Sequence, residues 1–386
     1  MSFKKSVMYS AILQCLVGTL MFSSAQAETK FVPEKFTVEQ TIKPGPNVIV
    51  NGASWDGASK IHIYGQEELN YQGSVSAGLV SQTLPSKDGK QLYVLSHYMK
   101  RYTYGPVESA VQIFDINTLT EAKEIIVPNK AAHAIGMPGL LERNYDDSWI
   151  YVQNATPATS VTVVDKKLGK VINEVAVPGC FGIFPAKDSN KFSTLCGTGA
   201  IKSVTFNGNK YEISESKSGL FDVKKDALYV QAIRNVNGLL MIPSFNGNIY
   251  MVDDSGKAPK LVEKISITKG TEGNWAPGGY QVMSYNKSLD MIFVLMHPDA
   301  YEGSHKDASS EIWAYSMDKK KIISRSPAEN LVALAVSQGK TPILFGSNEE
   351  DETVDQYTLA DAKAFTFTKA GSDDKTGWST NLQVDQ

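Results

Sequence analysis

The sequence predicts an all-β chain folded as a single seven-bladed β-propeller. Three observations carry this. Short alternating runs rich in Val, Ile and Tyr dominate the chain, helical periodicity is nearly absent, and the runs recur about every 40 to 65 residues, the repeat length of four-stranded blades. The anchoring runs are 61–64, 111–115, 161–165, 201–206, 249–253, 311–315 and 354–359. Each is closed by an acidic or small turn residue, and one blade is expected around each.

Taken in order, the chain opens with a segment set apart from the repeats. Lys4 and Lys5 precede an apolar run over 7–22, which ends in Ser23-Ser24-Ala25-Gln26-Ala27. That is the charged, apolar and small-residue order of an export signal, with cleavage expected after Ala27. The run is shorter than the roughly 20 residues a membrane span needs, and Gln14 interrupts it. The mature chain 28–386 is therefore expected to be exported, without a membrane span, as one propeller domain with a short N-terminal extension. Residues 28–45 read either as a projecting arm or as a strand that closes the ring.

Within the repeats, Asp115 to Leu119 leads into the strand-like run 124–127, and Asp165 to Lys170 leads into 171–177. Such turns fit hairpins between the outer strands of a blade. Polar turns also precede strands, as in Lys87-Asp88-Gly89-Lys90 and Asp146-Asp147-Ser148. Three stretches break the rhythm: the aromatic and basic segment 96–105, the polar loop 154–159, and the long interval between Asp253 and Glu311. On a rigid propeller such loops gather at the rims, where ligands and partners bind.

Export also decides how the cysteines are read. Cys15 leaves with the signal, so Cys180 and Cys196 remain, and one disulfide is the simplest outcome in an oxidising compartment. A metal pair or reactive thiols are the alternatives, although neither cysteine has a CxxC partner or a nearby histidine.

Candidate chemistry is sparse. With 38 basic against 41 acidic side chains and a formal net charge of -3, the chain lacks the basic excess of a nucleic-acid binder. It has no nucleophile elbow, phosphate-cradling glycine loop, His-Glu-x-x-His or CxxCH motif. His297 and His305, with Asp299 and Glu302 between them, form the best metal candidate, yet their spacing fits a loop whose polar groups fix its own shape. His62 and His133 read as isolated structural histidines, and His97 as a possible groove residue in the aromatic loop. Asp146-Asp147 and 349–352 read as solvated turns. No catalytic residue and no metal ligand is assigned to this chain.

Several segments nevertheless carry a family resemblance. Val177-Pro178-Gly179-Cys180-Phe181-Gly182-Ile183-Phe184-Pro185, followed by Cys196-Gly197-Thr198-Gly199, resembles the disulfide region of heavy subunits of quinoprotein amine dehydrogenases. Asn274-Trp275-Ala276-Pro277-Gly278-Gly279-Tyr280 is similar to that family's Trp-x-Pro-Gly-Gly-aromatic motif. Segments 153–160 and 296–313 are more similar to the aromatic (aralkylamine) branch than to the methylamine branch. The matches run in order from about residue 48 to the end.

The resemblance implies a periplasmic propeller that pairs with a small, disulfide-rich light subunit in a tetramer of two heavy and two light chains. Tryptophan tryptophylquinone and the catalytic base then lie in the light subunit. A primary amine condenses with the quinone, aldehyde and ammonia leave, and electrons pass singly to a cupredoxin of the azurin or amicyanin type. The five tryptophans, Trp55, Trp149, Trp275, Trp313 and Trp378, then read as packing residues and not as cofactor precursors.

One position carries over from the family. Its heavy chains set a Phe at the mouth of the substrate channel, and the matching position here is Leu79. Tyr98 and Tyr102 are expected at the light-subunit interface from composition alone. The competing reading is a stand-alone exported propeller, acting as a binding protein or as a hydrolase with a metal in its central channel.

Overall fold

The computed structural model describes residues 39–102, 104–217 and 219–385. The expected signal, 1–27, lies outside the described residues, as does most of the extension. Residues from Gln40 onward cluster as one compact unit built of antiparallel sheets.

The expectation of seven separate blades is corrected by the sheet topology. Five four-stranded blades are present, and the remaining strands form a single eight-stranded sheet. The cause is the strand Lys321–Val336, sixteen residues long. Its first part pairs with Ser309–Ser316 and its second with Leu344–Asn348, so one unbroken strand belongs to both halves of the sheet. Elsewhere a break separates one sheet's outer strand from the next sheet's inner strand, from the single residue Gly78 to the loop over 128–140. Here the chain makes that passage while still extended, with only Asn330 entering the left-handed region. The sequence repeat registers the strands, but it does not reveal where a turn is missing.

All seven anchoring runs are strands: five lie third in their four-stranded sheets, while 311–315 and 354–359 share the eight-stranded sheet. The hairpin that follows several of them has a common local cause. The carboxylate of Asp115 accepts backbone N–H bonds from Asn117 and Thr118, Asp165 accepts from Leu168, and Asp361 accepts from Lys363 and Ala364. Four residues after each aspartate, Leu119, Gly169 and Phe365 sit at positive φ. An aspartate that ties down the turn and a left-handed residue that ends it restore the strand twist through a bulge.

The apolar core lies between neighbouring sheets. One cluster joins Tyr93, Leu95 and Val111 of one blade to Ile150, Val152 and Val164 of the next. Outer strands such as Lys210–Glu215 keep mainly exposed positions. Polar side chains clamp the inner strands across the blade boundaries. Gln82 donates to the carbonyls of Ala134 and Ile135 and accepts from the N–H of Met137. Gln231 bonds both backbone groups of Met283, and Gln153 accepts from Gly182 N–H. Arg143 and Arg234 each end an inner strand and donate to the carbonyl that ends the preceding one, Pro85 and Pro185 respectively. Glutamine suits this place because one amide both donates and accepts, and every buried peptide group needs a partner.

The two ends of the unit meet in one sheet. Leu382–Val384 pairs with Asn47–Gly52, through Val48 with Val384 and Val50 with Leu382. The Asp385 carboxylate accepts from the backbone N–H of Asn47 and, at 2.9 Å, from its side-chain amide. The C-terminal strand thus supplies the closing strand. Of that extension, Ile42 donates its N–H to Asn117 O at 2.7 Å and runs along a hairpin turn. Cys180 and Cys196 are cross-strand partners and are joined by a disulfide.

Candidate functional site

The rim where loops follow the strand Gln91–Met99 carries an aromatic loop and a bulged inner strand. Leu79 opens the inner strand Leu79–Pro85 opposite His97, and the register then slips in a bulge before Gln82. Val80 has φ 42°, a rare conformation for a β-branched residue. Its neighbours hold it there: Val80 N–H donates to Ser54 O at 2.8 Å, while Asn51 bonds both Ser81 O and Ser81 Oγ. Gly78 is required for close approach, since a Cβ there would lie 2.4 Å from His97 O. The bulge leaves Leu79 half-buried at the rim between the buried residues Gly78 and Val80.

The aromatic segment extends from the same blade. Tyr98 is bonded through its hydroxyl to Gln112 Oε1 at 2.8 Å. Tyr102 is 79% exposed at positive φ, and Arg101 covers the ring of Tyr104 at 5.1 Å. The loop that receives Val80 also carries Trp55, 57% exposed. Trp55 was expected as a packing residue, and the structure corrects this. Its Ser54-Trp55-Asp56-Gly57 context is that of a turn, which was the available signal. The other four tryptophans do pack. Trp275 and Trp313 lie 5.3 Å apart under the Arg325 guanidinium, which is paired to Glu311, while Trp149 meets Phe206 and Trp378 meets Tyr280.

The histidines divide differently from the sequence expectation. His133 is not isolated, because its ring contacts that of His97 with centroids 4.1 Å apart. His97 is 1% exposed, and burial together with His133 pushes its pKa down to about 3. His305 instead stacks on Phe245 at 3.9 Å, and His297 Nδ1 meets Pro298 O at 2.9 Å, so each is engaged with its own surroundings. Asp299 is a left-handed turn residue of this loop. Among the described residues no group of three or more candidate metal ligands occurs. His62 is buried. Asp147 is not a free turn carboxylate, since it accepts from the Tyr93 hydroxyl and pairs with Lys166 at 3.1 Å.

On the inner strand Leu141–Arg143, Glu142 is the one carboxyl in that strand. Desolvation pushes its pKa up to about 7 against the opposing pull of Arg143. On the rim described above, Ser109 Oγ lies 2.8 Å from His97 Nδ1, and both side chains are buried. Among the described residues no helix is long and apolar enough to cross a membrane.

A closed circuit of antiparallel meanders, with elaborated loops on one rim, defines a β-propeller scaffold. Solved structures share this architecture. The chain is similar to a periplasmic gluconolactonase of Pseudomonas aeruginosa, with a TM-score of 0.63 and 12% identity, covering 88% of this chain and 98% of that one. It is also similar to a putative 6-phosphogluconolactonase of Bacteroides fragilis, with a TM-score of 0.61 and 10% identity over 92% and 100% of the two chains. At such identities the likeness is one of fold alone.

Sequence relationship goes further. Residues 48–381 match the family of the methylamine dehydrogenase heavy chain, and the chain belongs to that family. Among curated relatives, it is 22% identical over 371 residues to the methylamine dehydrogenase heavy chain of Methylophilus methylotrophus, covering 90% of each. It is 23% identical over 300 residues to that of Methylobacillus flagellatus, covering 76% of this chain and 74% of the relative.

Proposed function

We propose that the chain is the heavy subunit of a periplasmic amine dehydrogenase that deaminates primary, aromatic amines to aldehyde and ammonia. The observation that carries this reading is the family match over residues 48–381. In this reading a small light subunit bears tryptophan tryptophylquinone, two copies of each chain assemble, and a cupredoxin of the azurin or amicyanin type takes the electrons. The quinone, when present in the light subunit, supplies the electrophilic carbonyl and takes up the electron pair of the substrate.

This chain's own part is to bind and to orient. Leu79, fixed by the Val80 bulge, gives the channel mouth an apolar wall that excludes water from an amine's hydrocarbon part. Tyr98 and Tyr102, together with Trp55, supply aromatic surface of the kind enriched in protein interfaces, and they belong to the light-subunit contact. The similarity of segments 153–160 and 296–313 to the aralkylamine branch supports an aromatic substrate.

The test is co-expression with a small, cysteine-rich exported chain, followed by mass analysis and dye-linked amine oxidation. Co-purification of a quinone-bearing partner, with activity only in the complex, is the expected result. Turnover by this chain alone would refute the reading. In the complex, Leu79→Phe should shift the ratio of phenylethylamine to short-alkyl amine turnover about tenfold, since one channel side chain contributes about 1–3 kcal/mol to selectivity.

A further inference from the structure

The contact between His97 and His133 has a directionality that the hydrogen bonds define. His97 lies opposite Ser109 in the strand pair, and its Nδ1 is 2.8 Å from Ser109 Oγ. Ser109 Oγ in turn donates to Asn129 Oδ1 at 3.3 Å. A hydroxyl that gives its proton to Asn129 can only accept from the imidazole, so Nδ1 of His97 carries the hydrogen and Nε2 carries a lone pair. That Nε2 is buried without a hydrogen-bond partner. The exposed ring of His133, from the connector over 128–140, packs against the His97 ring at 4.1 Å between centroids with a 48° tilt. His97 cannot retreat, because Gly78 is packed on its backbone.

We propose that His97 and His133 form a two-imidazole site for a divalent transition-metal ion of the Cu2+, Ni2+ or Zn2+ class at the rim beside Leu79. The donor set decides the class: imidazole nitrogens suit these ions, whereas Mg2+ and Ca2+ need oxygen ligands. The relay through Ser109 and Asn129 does what outer partners of a ligating histidine do, fixing the tautomer and presenting the free nitrogen. His133 is at the surface, so rotation about its side-chain torsions brings a nitrogen alongside Nε2, and water completes the coordination. The pair unites two parts of the chain 36 residues apart, one at a strand end and one in a connector, with no motif to announce it.

Cu2+ is the probe, added to the purified chain and followed by calorimetry and by electron paramagnetic resonance. One equivalent bound with splitting from two imidazole nitrogens is expected. His133→Ala changes an exposed side chain and should weaken binding at least tenfold while near-ultraviolet circular dichroism stays unchanged. Ser109→Ala, which frees the tautomer, should weaken it about tenfold. His305→Ala, a control at a distant stacked histidine, should leave binding intact. Wild-type affinity in His133→Ala, or single-nitrogen coordination in the wild type, would overturn the proposal.

Discussion

Gln281→Leu tests whether amide clamps hold the ring closed. Gln281 is buried, and its Nε2 donates to Leu334 O at 3.0 Å and to Leu382 O at 2.7 Å. Its Oε1 accepts from Leu382 N–H at 2.8 Å and from Asn381 Nδ2 at 3.2 Å. One side chain thus joins the eight-stranded sheet to the closing strand Leu382–Val384. Leucine keeps the volume and removes four hydrogen bonds, two of them to one residue of that strand. At about 1 kcal/mol for each bond, the loss is about 3–5 kcal/mol. The unit covers 40–386, so its unfolding entropy converts each kcal/mol into about 1.4 °C, and the melting midpoint should fall by about 4–7 °C. Calorimetry at fixed scan rate measures this, and hydrogen exchange should show lost protection at Leu382–Val384 before other strands. A shift under about 1.5 °C, or exchange unchanged at that strand, would refute the reasoning.

Other expectations follow from the same structure. Replacing both Cys180 and Cys196 by Ser should cost about 3 kcal/mol, from a cross-link closing a sequence separation of 16, and wild type melted with reductant should match the variant. Gly78→Ala sets a Cβ against His97 backbone atoms that cannot rotate away, so a loss of about 1–3 kcal/mol in urea unfolding is expected. His97, held near pKa 3 when folded, is protonated more readily in the unfolded chain, so its contribution to stability falls as pH drops from 6.5 towards 3. Glu142, raised to about 7, acts in the opposite sense and costs stability as pH rises from 4.5 towards 7. His97→Asn should therefore flatten the acid limb of the stability profile, and Glu142→Gln should flatten the neutral limb, both read from unfolding midpoints against pH.

The strands and their hairpins were legible in the sequence because they depend on neighbours. Alternation in 161–165 or 249–253 and an aspartate followed four residues later by a left-handed residue are local devices. The pairing of Cys180 with Cys196 was legible as well, since two cysteines facing across one hairpin need only that hairpin to form. Other features were not. Nothing in Lys321–Val336 says that a strand will continue from one half of a sheet into the other, because strand length is limited by what lies alongside it. The contact of His133 with His97 and the capture of Asp147 by Tyr93 and Lys166 each join residues from different loops or blades, and the exposure of Trp55 depends on what the surrounding fold leaves uncovered.

The sequence by itself determined an all-β repeat chain, its turns, its disulfide partners and, through motifs, its family. Tertiary structure decided the number of discrete blades, the identity of the closing strand, and which rim residues stand beside Leu79. The physical reason is range: side-chain alternation and turn chemistry act over a few residues, while closure and the rim depend on contacts such as Val48 with Val384. Those contacts join strands from the two ends of the compact unit, far beyond the reach of any local pattern.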